Sequence, residues 1–302
     1  MNRDFEKLAA GAAPAVFVIL WSSGFIGTKY ALSGAEPMTF LTIRMVYVSV
    51  LMIGIIAVVR PAWPRGADIG HSIIAGLLVH GFYLGGTSVA IYLAVPAGLS
   101  ALVPGLQPIL VSTLANRWLG ERVTLLQWGG LVLGLSGVLL VLHSRSIAGD
   151  LGWGYLGTVV ALISITLGTL YQKRYCTKID WRTGNFIQFM ACAVMFSTGA
   201  LLFETREVVW SKEFILGVSW LVIALSIGSI GVLYWLIRRS AATQVASLFY
   251  LVPATTALMA YVLFDEHLDW LGVLGMAISA AGVFLVNKPA AAPEKVEVSP
   301  GS

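Results

Sequence analysis

Apolar stretches separated by short polar breaks run from residue 14 to residue 287, and each is about as long as a membrane-crossing helix. A helix needs about 20 mostly apolar residues to cross the hydrocarbon of a bilayer. Reading the polar breaks as loops predicts ten spans: Pro14–Leu32, Pro37–Val59, Gly70–Leu93, Gly98–Arg117, Leu125–His143, Gly152–Gln172, Thr183–Phe203, Leu216–Leu236, Thr243–Leu263 and Trp270–Asn287. No connection is long enough for a soluble domain. Residues 1–13 read as a polar N-terminal segment, and residues 288–302, rich in Ala, Pro and Glu, as a disordered tail. The expected fold class is an all-α membrane protein.

Composition strengthens this reading. Of 302 residues 58% are hydrophobic and 11% charged, whereas soluble domains carry about 25% charged residues. The net charge of +4 comes from basic residues scattered between apolar runs, so nucleic acid is not expected as a partner. Cys176 and Cys192 have neither disulfide nor metal spacing, and no cleavable signal is read in the first span. Lys and Arg set the orientation. With the N-terminus on one side, that side holds fourteen of the nineteen basic residues, the other side holds Lys29, Arg145, Arg206 and Lys212, and Arg44 lies within a span. Both termini are therefore expected in the cytoplasm.

The fourth and fifth spans recur at the end of the chain. The stretch from Ala97 aligns without a gap on the stretch from Ala242, at an offset of 145 residues. Pro108 falls on Pro253, Glu121 on Glu266, Gly130 on Gly275 and Gly137 on Gly282; Lys29 and Tyr30 fall on Arg174 and Tyr175. The repeats are residues 14–143 and 152–287, five spans each. An odd number of spans forces the copies into opposite orientations, the sequence mark of an alternating-access transporter with its site near the midplane.

Two segments carry a family resemblance. LGERVTLLQWGG from Leu119, with its second copy, and LWSSGFIGTKYAL from Leu20 followed by PMTFLTIR from Pro37, resemble the EamA repeat of the drug/metabolite transporter superfamily. Within it the chain is most similar to YddG-type exporters of aromatic amino acids. The resemblance covers nearly the whole chain. It implies a bacterial inner-membrane exporter with ten helices around a central cavity, a small-molecule substrate and no cofactor.

The charged residues bear on the cargo separately. All fifteen acids fall in loops or tails. Proton-driven exporters commonly titrate a membrane carboxylate, so carboxylate-based coupling is disfavoured, and the chain departs here from the superfamily's small cation exporters. Arg44 is the one basic residue placed deep, which disfavours a dianionic cargo. A neutral or zwitterionic solute with apolar or aromatic surface remains. A broad drug/metabolite exporter of the same fold is the alternative; a membrane-embedded enzyme would need a catalytic His–acid pair, which only the turn at His267 offers. No catalytic residue and no metal ligand is assigned, and the Asp265–Asp269 cluster reads as a solvated turn.

Candidate pathway residues follow from placement. Arg44 is either packing glue or the partner of a substrate carboxylate. His80, Tyr83 and Thr87 stand at i, i+3 and i+7 on one helical face, and His80 is able to titrate near neutral pH. Pro104 and Pro108 flank Gln107, and Pro253 follows Tyr250; these prolines should kink their helices inward and serve in gating, with Gln107 and Tyr250 as contacts. Trp21 is deep enough for an aromatic wall. Ser229 lies on the eighth span, where serines also act as interhelical glue. Gly130 and Gly134 give a close-packing signal within one chain, and a monomer is expected. The third, fourth, eighth and ninth spans, with parts of the first and sixth, are expected to surround the cavity.

Overall fold

A computed structural model describes residues 3–93, 95, 100, 104–120, 123–143, 153–264 and 270–287. Its helices, in chain order, are α1 (Arg3–Ala31), α2 (Pro37–Val59), α3 (Ala67–Tyr92), α4 (Gln107–Leu119), α5 (Leu125–His143), α6 (Trp153–Tyr175), α7 (Trp181–Phe203), α8 (Lys212–Arg239), α9 (Ala242–Leu263) and α10 (Trp270–Asn287). Among the described residues eight of these, all but α4 and α5, are long and apolar enough to cross a membrane, and there is no strand. Most of the predicted fourth-span residues ahead of Pro104 lie outside the described residues, as do Glu121, Asp265–Asp269 and the tail from Lys288.

Helix boundaries have local causes. Pro37 opens α2, where a missing N–H costs nothing. Asp180 caps α7 by accepting from Arg182 N at 2.8 Å, and Ser211 caps α8 by accepting from Phe214 N at 3.1 Å. Gly120, at φ +70°, ends α4 in the left-handed conformation that glycine adopts freely. α1 extends well ahead of Pro14, which sits inside the helix rather than opening it.

Four helices change winding midway. In α3 the segment Leu77–Phe82 is a π-helix, and in α8 so is Leu221–Ser229. Ser226 Oγ follows the wider register by donating to Leu221 O, five residues back, at 3.1 Å. Single-turn 3₁₀ segments, Pro104–Leu106 and Leu248–Tyr250, precede the straight parts of α4 and α9. Pro108 and Pro253 stand in the first turn after these breaks. They occupy ready-made starts rather than kinking a running helix, since N–H groups there have no intrahelical partner.

Packing joins α5 to α10, α2 to α7, α3 to α6 and α1 to α8, while α4 lies on α6 and α9 on α1. Glycines permit the closest approaches. A Cβ on Gly86 would stand 2.4 Å from Gly157 O, and one on Gly217 would stand 2.9 Å from Gly27 O. Two apolar cores fill the bundle, one around Phe17, Trp21 and Tyr250, the other around Phe40, Met45 and Phe189. Val58 and Phe203 are 84% and 78% exposed, an outward apolar surface suited to lipid.

One end of the bundle is clasped by two carboxylates. Glu204, just past α7, accepts from Met38 N, Thr39 N and Thr39 Oγ1, each at 2.7 Å, and so caps α2 from outside. Glu36 reciprocates by accepting from Thr205 N and Oγ1 at 2.7 and 2.6 Å. These bonds, the Thr205 hydroxyl first, hold the Glu36 carboxyl below its ordinary value of 4.5. A lowered folded-state value means the contribution is present above about pH 4.5 and lost as pH falls further. We expect Glu204→Ala to cost about 1–2 kcal/mol, the scale of a lost helix cap, read as a lower thermal midpoint in detergent. The smaller deficit of Glu36→Gln should vanish in acid; a deficit unchanged at pH 3 would exclude this role for Glu36.

Candidate functional site

A cavity of ≈ 40 Å³ lies between α1, α2, α3 and α8, lined by Trp21 and Thr28, Arg44, His80, Tyr83, Thr87 and Leu225 among others. That volume holds a few water molecules. α4, α6 and α9, expected around the cavity, contribute none of its lining residues.

The aromatic wall is built on α1. Trp21 stacks on Tyr83 with centroids 5.9 Å apart and donates from Nε1 to Tyr83 OH at 3.2 Å. Phe249 meets Trp21 edge-on at 5.2 Å and Phe17 at 5.5 Å. Thr87 Oγ1 is turned back to Tyr83 O at 2.9 Å. The wall is thus apolar-faced, with one hydroxyl shared between two rings.

Arg44 is 3% exposed and donates from Nε to Ser226 Oγ at 3.2 Å. Among the described residues no carboxylate pairs with it. A guanidinium offers five donors in a planar fork that matches a carboxylate, and a buried charge is costly unless paired. His80, 2% exposed, continues the polar face behind Arg44: its Nε2 lies 3.3 Å from Tyr234 OH, which donates to Gln188 Oε1 at 2.7 Å.

Five of the eight pathway residues read from the sequence therefore meet at one cavity: Trp21, Arg44, His80, Tyr83 and Thr87. The other three stand elsewhere. Gln107 Nε2 donates to Thr169 Oγ1 at 3.0 Å, joining α4 to α6. Tyr250 is fully buried against Gly134 of α5, where a Cβ would lie 2.5 Å from its ring. Ser229 is fully buried near the end of the π segment and does not line the cavity. Proline-derived placement failed for Gln107 and Tyr250 because the helices break ahead of the prolines and turn these side chains into packing seams. Ser226, Tyr234, Gln188 and Asn185 were missed as site residues. The available signal was three uncharged carboxamides, Gln172, Asn185 and Gln188, inside otherwise apolar helices.

Comparison with known proteins gives concordant results. The chain is 23% identical over 277 residues to "Uncharacterized inner membrane transporter YedA" of Escherichia coli K12, covering 92% of this chain and 90% of that one. It is 25% identical over 299 residues to "Uncharacterized transporter YvbV" of Bacillus subtilis, covering 94% and 93%. A third relative, at 23% identity over 91% of this chain and 93% of its own length, is named "Probable amino-acid metabolite efflux pump" of Escherichia coli K12. A solved crystal structure superposes with a TM-score of 0.72 at 20% identity, covering 92% of this chain and 96% of that one, which shows a shared fold. The family model described as EamA-like transporter family matches residues 12–143 and again 152–288. With both matches spanning nearly its whole length, the chain belongs to the EamA-like transporter family.

Proposed function

We propose that this protein exports amphipathic metabolites, most of all aromatic or other large neutral amino acids, across the bacterial inner membrane by alternating access. The observation that carries the reading is Arg44: a buried guanidinium without a carboxylate partner among the described residues, beside a wall of Trp21 and Tyr83. A free carboxylate with an apolar ring on the same small molecule satisfies both halves of that site. The relative named as an amino-acid metabolite efflux pump supports the same substrate class.

In this reading all ten helices cross the membrane as two inverted repeats of five, with both termini cytoplasmic. The pairing of helices supports it. Exchanging the repeats turns the α1–α8 contact into α6–α3, α9–α1 into α4–α6, and returns α5–α10 and α2–α7 to themselves, as a two-fold relation requires. The π segments of α3 and α8 also fall at corresponding places. π turns recur at functional sites, and here they supply the points about which one repeat rocks on the other.

Transport in this reading is facilitated, with no proton coupling, because among the described residues no carboxylate lines the cavity. The decisive experiment reconstitutes the protein with a panel of radiolabelled solutes. Aromatic amino-acid flux is expected; its absence would remove the substrate reading. At equal solute on both sides, a one-unit pH gradient is expected to drive no net accumulation. One proton per solute would give up to about tenfold, since 1.36 kcal/mol per pH unit is a factor of ten. Accumulation abolished by His80→Ala would assign coupling to His80, and accumulation surviving it would require another group. Either result overturns facilitated transport.

A further inference from the structure

Behind His80 a second polar pocket lies toward the end of the bundle that carries Arg182, Arg238 and Arg239. Ser72, Gln172, Asp180, Asn185, Gln188 and Tyr234 meet there around a cavity of ≈ 10 Å³, the room of about one water. An unbroken series of side chains connects it to the Arg44 cavity. Tyr234 OH donates to Gln188 Oε1 at 2.7 Å, so the hydroxyl keeps an acceptor lone pair toward His80 Nε2 at 3.3 Å. Gln188 Nε2 in turn donates to Gln172 Oε1 at 3.3 Å.

Asn185 stands out in this series. Its side chain is 1% exposed and stands within reach of a hydrogen bond with His80, yet neither Oδ1 nor Nδ2 makes a well-aligned one among the described residues. A buried carboxamide offers two donors and an acceptor with two lone pairs, and leaving them unmade is costly. Packing does not require an amide here, as the other repeat shows. Counted from the N-caps Glu36 and Asp180, Asn185 corresponds to Leu41, which is fully buried in an apolar core. Gln188 corresponds on the same count to Arg44, the residue already placed at the central cavity. Across α3 and α8 the sequence offset puts Tyr234 on Val89 and Ser72 on Gly217. The pocket is thus polar at the basic end, and its counterparts at the clasped end are largely apolar.

We infer that this pocket is a second binding site on the solute's path, where Asn185, with Gln188 and Tyr234, hydrogen-bonds the polar head of the solute before its carboxylate reaches Arg44. The ligand class is a small molecule with an uncharged polar or ammonium head, since amide oxygens, a phenol hydroxyl and the Asp180 carboxylate, which also pairs with Arg182, supply the acceptors. The site rests on the transport reading above and on the basic end facing the cytoplasm. It gives the carrier two unlike faces: solute is gathered by hydrogen bonds on one side and released past apolar walls on the other.

The test uses the full chain in oriented membrane vesicles. Asn185→Cys in a Cys176→Ser, Cys192→Ala background is exposed to a charged, membrane-impermeant methanethiosulfonate. Labelling from the cytoplasmic face, slowed at least threefold by saturating phenylalanine, is the expected result. Labelling from neither face, labelling from the outer face alone, or labelling that no solute in the panel slows would overturn the proposal. Should a different polar solute slow it while aromatic flux is absent, the site stands and the substrate reading falls. Asn185→Leu, the residue of the other repeat, should raise KM measured from the cytoplasmic face about tenfold, with the outer-face KM changed less than twofold. Equal changes on both faces would make Asn185 a packing residue and overturn the proposal.

Discussion

Replacing Arg44 by Met is expected to abolish carrier-mediated flux of carboxylate-bearing solutes and to make the empty protein more stable. The two effects have one origin. Arg44 is buried beside Ser226 with no carboxylate partner among the described residues, so the empty protein bears the cost of a desolvated charge. Exchanging buried charges for apolar side chains of similar volume is commonly worth about 1–4 kcal/mol in stability. On solute binding the same charge gains its partner. Removing one member of a buried pair costs about 2–5 kcal/mol, or roughly thirty- to several-thousandfold in affinity. A thermal midpoint several degrees above wild type, with phenylalanine flux at background, is the expected pair of readings. Phenethylamine, which lacks the carboxylate, should not suffer the same loss. Arg44→Lys keeps the charge without the planar fork and should retain partial flux. Phenylalanine flux within twofold of wild type in Arg44→Met would reduce Arg44 to packing glue.

Much of this site is legible in the sequence because charge is so scarce. One His followed by Tyr and Thr at helical spacing points to α3 as a cavity wall; α2 is not among the spans expected there, although its Arg44 is a pathway candidate and lines the cavity. Helix limits are legible where a proline or a sharp polar break coincides with the change in hydropathy, so Pro37–Val59 matches residue for residue and α5 opens at Leu125 as read. The π segments are not legible, because the extra residue they accommodate leaves the mostly apolar composition of the helix unchanged. Gln107 and Tyr250 were drawn to the cavity by an argument about prolines that assumed running helices. The chain instead breaks into 3₁₀ turns one residue earlier in one case and at Tyr250 itself in the other. Asn185, Gln188 and Tyr234 do not stand out in the sequence, since uncharged polar residues in a span commonly serve as interhelical glue. What distinguishes them is the identity of the partner position in the other repeat, a comparison that needs the helix caps as reference points.

Gly137→Ala and Gly282→Ala should each destabilise the protein strongly, and by similar amounts. In α5 and α10 the backbones are in contact: a Cβ on Gly137 would stand 2.4 Å from Ser279 N and 2.6 Å from Gly275 O. One on Gly282 would stand 2.4 Å from Gly134 N and 2.6 Å from Gly130 O. Each set of contacts is the other with the repeats exchanged, since Gly275 answers Gly130 and Ser279 answers Gly134. The donor of the Ser279 Oγ–Gly134 O bond at 3.3 Å thus lies opposite its own counterpart. Backbone, unlike a flexible side-chain end, has no rotamer by which to retreat, so the helices must separate. Overpacking typically costs about 1–3 kcal/mol, and the upper end is expected here because the close approach that small residues permit is what holds membrane helices together. Gly129→Ala is the control on the same helix: nothing lies within 4 Å of its Cβ position, and alanine favours helix by about 1 kcal/mol over glycine. Thermal unfolding in detergent should therefore rank Gly129→Ala at or above wild type and the other two well below it, close together. A large gap between Gly137→Ala and Gly282→Ala would break the two-fold relation on which the alternating-access reading depends.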